Sequence, residues 1–84
     1  MTPREVQLLT IAAEAGPTWP YTARGFAAEL GRPRWHTKVT VEALRPVLRR
    51  LVSRGWLAGH RVGRWVDYTI TATGRDAIEQ EWRE

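Results

Sequence analysis

Residues Thr40 to Leu57, TVEALRPVLRRLVSRGWL, read as one helix with two incompatible faces, and this constrains the chain more than any other stretch. At about 100° per residue, Val41, Leu44, Val47, Leu48, Leu51 and Val52 share one arc, while Glu42, Arg45, Arg49, Arg50 and Ser53 share the other. One face needs a core; the other needs water or an anion. Thr40 is placed to cap the N-terminus, and Gly55 to end the helix with Trp56 folding back on Leu51 or Val52. Arg45 with Arg49 and Arg50 with Arg54 are like-charge pairs four apart, each costing about 0.2–0.5 kcal/mol in an isolated helix. Stability alone does not select that pattern.

The chain has 84 residues, enough for one domain over 1–84 with a single small core. It has no cysteine, so neither disulfides nor thiolate metal sites support it, and a reducing compartment fits. No apolar run approaches the roughly 18 residues of a membrane span, and the N-terminus lacks the layout of a signal peptide. The expected location is the cytoplasm, with no membrane partner. Net charge is +4, but between Arg32 and Arg64 nine basic residues face Glu42 alone, whereas the remaining segments are net acidic. Such polarisation predicts one positive face, the footprint of a nucleic-acid or other polyanion binder.

Thr2-Pro3-Arg4-Glu5 is a capping box with proline at N1, so a helix starts almost at the first residue and runs to Gly16-Pro17. Pro17 to Tyr21 is expected to be extended, with Trp19 or Tyr21 packed on the core. Thr22 caps a second helix, Ala23 to Leu30, whose inward stripe is Phe26, Ala27 and Leu30. The basic loop Gly31 to Lys38 carries Trp35, which either stacks on a sugar or base or covers the core.

After the central helix the period changes from 3.6 to 2. Pairing Arg61 with Arg64 around Val62-Gly63 sets Leu57 opposite Tyr68, Gly59 opposite Val66, His60 opposite Trp65 and Ala58 opposite Asp67. Leu57, Val66, Tyr68 and Ile70 then face inward, and two arginines oppose each other at the tip. Thr71 caps a last helix with Ala77, Ile78 and Trp82 as its apolar stripe and Asp76, Glu79, Glu81 and Glu84 outside. Trp82 either closes the core over the first helix or meets a second copy of the chain.

Three helices, a two-stranded hairpin and a short C-terminal helix, with the basic helix third, is the α+β order of a winged helix-turn-helix. Leu48-Arg49-Arg50-Leu51-Val52-Ser53-Arg54-Gly55-Trp56-Leu57, followed by Tyr68-Thr69-Ile70-Thr71-Ala72-Thr73-Gly74, resembles the PadR-like branch of bacterial winged-helix regulators. Members commonly read L-x-R-L-x-x-x-G-L there and Y-x-L-T-x-x-G after the wing, and MarR-like regulators share much of this. Arg45-Pro46 stands where the family often has Tyr-Pro. The likeness implies a bacterial or phage transcriptional regulator of double-stranded DNA, its recognition helix, 40–54, in the major groove and its wing, 57–70, on the backbone or minor groove. A homodimer through the first and last helices, at Trp82, is a further expectation.

On that reading Arg45 and Arg49 present guanidinium forks to guanine edges, and Glu42 accepts from cytosine or orients Arg45. Arg34, Lys38, Thr40, Arg61 and Arg64 are candidates for phosphate, and Trp65 belongs to the wing tip. Arg50 and Arg54 point to the flank, toward helix-end carbonyls or phosphate. Two histidines, His36 and His60, with no cysteine and no phosphate-cradling loop, give no basis for an enzyme, a metal site or a cofactor. The competing functions are a winged helix used for protein contacts, with some of the five tryptophans as anchors, and a DNA-bending or recombination accessory factor.

Overall fold

The computed structural model describes residues 1–84. Its elements are α1 (Pro3–Ala15), α2 (Ala23–Leu30), α3 (Val41–Ser53), β1 (Leu57–Val62), β2 (Trp65–Ile70) and α4 (Ala72–Arg83). All four helices begin at a threonine whose hydroxyl accepts the amide of the third helical residue: Thr2, Thr22, Thr40 and Thr71. In α1 the box is complete, since the Thr2 amide donates back to the Glu5 carboxylate at 2.8 Å. Each cap satisfies an amide that has no partner inside its own helix.

The core is the common inner surface of these elements. Leu8, Leu9 and Ile11 of α1, Phe26 and Leu30 of α2, and Leu44, Leu48 and Leu51 of α3 are buried, with Leu57, Ile70 and Ile78 closing it from the wing and α4. The amphipathic reading of α3 holds for Leu44, Val47, Leu48 and Leu51, but Val52 is exposed and Val41 only half-buried. The apolar arc is therefore narrower than its sequence pattern, the elements that pack on α3, chiefly α2 with β1 and α1, leaving Val52 outside. Trp35 packs against the core rather than reaching outward, and of the connector aromatics it is Tyr21 that packs, while Trp19 is exposed.

The C-terminal end of α3 is a Schellman turn. The Trp56 amide donates to the Leu51 carbonyl at 3.0 Å and the Gly55 amide to Val52 at 2.9 Å, with Gly55 at φ +76°. The N-terminus of α4 docks onto that turn. The Thr71 amide donates to the Trp56 carbonyl at 3.1 Å, and its hydroxyl donates to the Gly55 carbonyl while accepting from the Gly74 amide. Gly74 is obligatory here: a Cβ at this position would overlap the Trp56 carbonyl oxygen and stand 2.8 Å from its carbon. The T-x-x-G motif after the wing is thus the footprint of one backbone crossing another.

The hairpin register differs from the expected one by two residues. Leu57 pairs with Ile70, Gly59 with Tyr68, His60 with Asp67, Arg61 with Val66 and Val62 with Trp65, leaving Gly63-Arg64 as the loop. A two-residue hairpin loop with glycine leading needs positive φ at its first position, and Gly63 has φ +59°. A loop at Val62-Gly63 would have placed that demand on a β-branched residue. A shift of two preserves which side chains share a face, so Leu57, Val66, Tyr68 and Ile70 still point inward. Arg61 and Arg64, however, are not cross-strand partners. Tyr21 adds a single rung to the outer edge of β2, its amide and carbonyl exchanging bonds with Tyr68 at 2.9 and 2.8 Å.

Trp82 lies on α1, its indole N–H donating to the Thr10 hydroxyl at 3.1 Å, yet 47% of the residue remains exposed. Beside it the Arg75 guanidinium donates to the Ala13 carbonyl at 2.6 Å, satisfying one of the orphan acceptors at the end of α1. No helix is long and apolar enough to cross a membrane.

Candidate nucleic-acid interface

The N-terminal halves of α2 and α3 and the outer part of β2 enclose a shallow groove of about 220 Å³. Its lining includes Arg24 and Thr22 from α2, Glu42 and Arg45 from α3, and Arg64, Trp65 and Tyr68 from the wing. Four expected site residues, Glu42, Arg45, Arg64 and Trp65, therefore meet at one place although they span 24 positions of sequence. What unites them is the hairpin, which returns β2 past the start of α3, and the Tyr21–Tyr68 rung, which fixes the wing to the body. Below the groove Phe26 stacks with Tyr21 at 5.1 Å and lies 6.4 Å from Tyr68, so aromatic packing supports the wing from the body.

Arg45 and Glu42 form an exposed ion pair at 3.5 Å, the orienting arrangement rather than one in which Glu42 projects alone. Exposed pairs of this kind contribute about 0–1 kcal/mol, so exchanging Glu42 for another partner costs little. Arg49, one turn along, is exposed and has no acidic partner. Lys38, Arg61 and Arg64 are likewise exposed and unpaired. Thr40 uses its hydroxyl oxygen to accept the Ala43 amide at 3.1 Å, leaving only its proton to offer a ligand.

Arg34 is placed differently. It makes a two-pronged contact with Glu14 of α1, one arm at 2.9 Å, and its guanidinium lies 4.7 Å from the Trp35 ring centre. The Glu14 hydrogen bond raises its already high pKa further. Arg50 and Arg54 reach neither helix-end carbonyls nor the groove: both stand 3.7 Å from the Glu5 carboxylate, which is 1% exposed. Arg32 pairs with Glu29. Counting charges along the sequence thus overstated the free positive face, because acids from α1 and α2 reach across to four of its nine cations.

Arg24 escaped the sequence reading. It sits in the first turn of α2 and places its guanidinium 5.8 Å from the Trp65 ring centre, across the groove from Arg45. The available signal was its position: a cation at the positive end of a helix is disfavoured unless an anion or aromatic holds it. Trp65, 54% exposed, is paired across the hairpin with Val62 rather than with His60.

No protein-family model and no curated protein matches the chain. Solved structures do. The RosR complex hsRosR-S1 superposes with TM-score 0.84 at 23% identity, covering 99% of this chain and 70% of that one. A structure of H. salinarum RosR grown from NaBr gives 0.83 at 23% identity over 99% and 72% of the two chains. The complex hsRosR-SG gives 0.81 at 24% identity over the same shares. The fold is a winged helix. RosR is archaeal, so this architecture is not confined to the bacterial families that the motifs resemble.

Proposed function

We propose that the chain is a sequence-specific binder of double-stranded DNA, acting as a small transcriptional regulator. The observation that carries this is the concentration of unpaired or weakly paired cations, Arg24, Lys38, Arg45, Arg49, Arg61 and Arg64, around the start of α3 and the wing, while acids pair with Arg32, Arg34, Arg50, Arg54 and Arg75 elsewhere. In this reading α3 enters the major groove, where Arg45 and Arg49 read guanine edges and Glu42 holds Arg45 in its fork orientation. A bidentate arginine–guanine contact discriminates by about 1–3 kcal/mol. Lys38, Thr40, Arg61 and Arg64 contact phosphate, and Trp65 lies against a sugar on the backbone or in the minor groove. Arg24 joins them from α2. Arg34 contributes only by exchanging Glu14 for phosphate.

The motifs shared with PadR-like and MarR-like regulators support the same assignment, as does the structural likeness to RosR. We also propose a homodimer through α1 and α4 with Trp82 at its surface, acting in the cytoplasm without catalysis. The test is fluorescence anisotropy on mixed-sequence and selected duplexes between 50 and 200 mM salt, roughly the range over which phosphate contacts declare themselves. Arg45→Ala is expected to lose preference among sequences, and Arg64→Ala to weaken all duplexes alike with a salt slope lower by about one phosphate. Absence of binding at the lowest salt would instead favour a protein-contact role, for which Trp19 and Trp82, both exposed away from the groove, are the anchors.

A further inference from the structure

Glu5 is the one buried acid in the molecule and has no part in the interface just described. Its carboxylate accepts the Thr2 amide at 2.8 Å and stands 3.7 Å from both Arg50 Nε and Arg54 Nη1. Those side chains are 51% and 50% exposed, so the surface of the flank is made of guanidinium while the neutralising charge lies beneath it. Arg54 has a second hold, the Trp56 ring, whose centre is 5.1 Å from its guanidinium carbon. Burial alone would push the Glu5 carboxyl up, but the Thr2 hydrogen bonds and the two arginines outweigh it and keep the acid charged.

From Arg45 to Arg54 the helix and its cap carry four arginines: Arg45 lines the groove and Arg49 is exposed without an acidic partner, whereas Arg50 and Arg54 face Glu5. The other two, left free, would be general phosphate ligands lying one and five residues beyond Arg49. Non-specific affinity grows with each phosphate neutralised, whereas discrimination comes only from base edges. A helix that offers every arginine to the backbone therefore gains affinity everywhere and loses selectivity.

We infer that Glu5 is a specificity-determining residue that acts through Arg50 and Arg54: it ties both to α1 and so keeps them from adding non-specific phosphate contacts to the DNA-binding face. This rests on the DNA reading above. Glu5 is a positioning residue, since it touches no nucleic acid itself.

The experiment compares Glu5→Gln and Arg50→Gln/Arg54→Gln with wild type on a mixed-sequence duplex across the same salt range. Glutamine keeps an acceptor for the Thr2 amide and removes the charge. Glu5→Gln is expected to steepen the log–log salt dependence by about 0.9 to 1.8, the increment of one to two phosphates, and to narrow the ratio of selected to mixed-sequence affinity. Arg50→Gln/Arg54→Gln is expected to leave the slope within about 0.5 of wild type, whereas Arg49→Gln lowers it by about 0.9. A merely structural role for Glu5 would weaken binding without steepening the slope. A folded Glu5→Gln protein with the wild-type slope overturns the inference, as does a fall of about 1.8 in the double arginine variant. If Glu5→Gln does not fold, the arginine variant decides alone. If wild type binds no duplex, the DNA reading fails separately, and elution from immobilised heparin replaces it: later elution of Glu5→Gln supports screening by Glu5, and co-elution with wild type overturns it.

Discussion

The two ends of α3 are built to opposite standards. At the C-terminal end the Schellman turn, the Thr71 cap and the Arg50–Glu5–Arg54 cluster give partners to the Leu51, Val52, Gly55 and Trp56 carbonyls and to both guanidinium groups. At the N-terminal end an exposed ion pair and unpaired guanidinia surround an open groove, with an exposed tryptophan at its rim. Both ends are arginine-rich, so composition does not separate them. What does is which acids the fold brings near: Glu5 reaches one end, and only the helix's own Glu42 reaches the other. Substitutions that undo the backbone docking of the closed end should therefore be read out as lost stability, and those at the open end as altered binding.

The sharpest way to break this division is Gly74→Ala. A Cβ there overlaps backbone, not a flexible side chain, so α4 must lift off the Trp56 turn. We expect a loss of more than about 3 kcal/mol in urea unfolding, or no folded protein, at the upper end of single-substitution effects. A loss below about 1 kcal/mol would mean that the closed end is not tightly docked. Next in size is Thr71→Ala, which removes the α4 cap and orphans the Gly55 carbonyl together. An expected cost of about 1–2 kcal/mol, with duplex affinity of the remaining folded protein unchanged, would keep stability and binding on separate ends.

Much of this was legible in the sequence, and the failures share a cause. The four threonine caps, the helix limits and the Gly55 stop were readable because each is encoded within four residues. The wing's inward face was readable because period-two patterning survives a shift of two, whereas its register was not, since it turned on the φ demanded at Gly63. The interface was half readable. Arg45 and Glu42 are neighbours on one helix, but the capture of Arg34 by Glu14 and of Arg50 and Arg54 by Glu5 joins elements 20 and 45 or more residues apart. Charge counting along the chain has no access to such pairings. Arg24 was missed for the same reason, as only the returning wing brings Trp65 to it.

Acid titration sharpens the comparison at smaller amplitude. The Glu5 carboxyl is held below its ordinary value of 4.5 in the folded state, the Thr2 hydrogen bonds and the two arginines outweighing burial. A group depressed by folding stabilises above its unfolded pKa and loses that contribution as pH falls through the folded one. Stability should therefore decline below about pH 4.5, and Glu5→Gln should flatten that limb of a pH–stability curve. An unchanged acid limb in the variant would place the acid sensitivity in other carboxylates.

The smallest stability effect belongs to Glu42. Glu42→Gln removes an ion pair whose partners are both well exposed, and such pairs contribute about 0–1 kcal/mol, so the unfolding midpoint should barely move. Binding should respond in two ways that oppose each other. Loss of a negative charge at the groove favours phosphate and raises affinity for mixed-sequence duplexes, while loss of the carboxylate that fixes the Arg45 fork lowers discrimination among selected sites. The ratio of the two affinities is therefore the quantity to measure. A fall in that ratio with stability intact places Glu42 as the orienting partner of Arg45; a fall confined to sites carrying cytosine opposite Glu42, with Arg45 contacts preserved, would show instead that Glu42 reads a base directly. Either result separates the open end of α3 from its closed end, where removing the acid is predicted to change the slope of salt dependence.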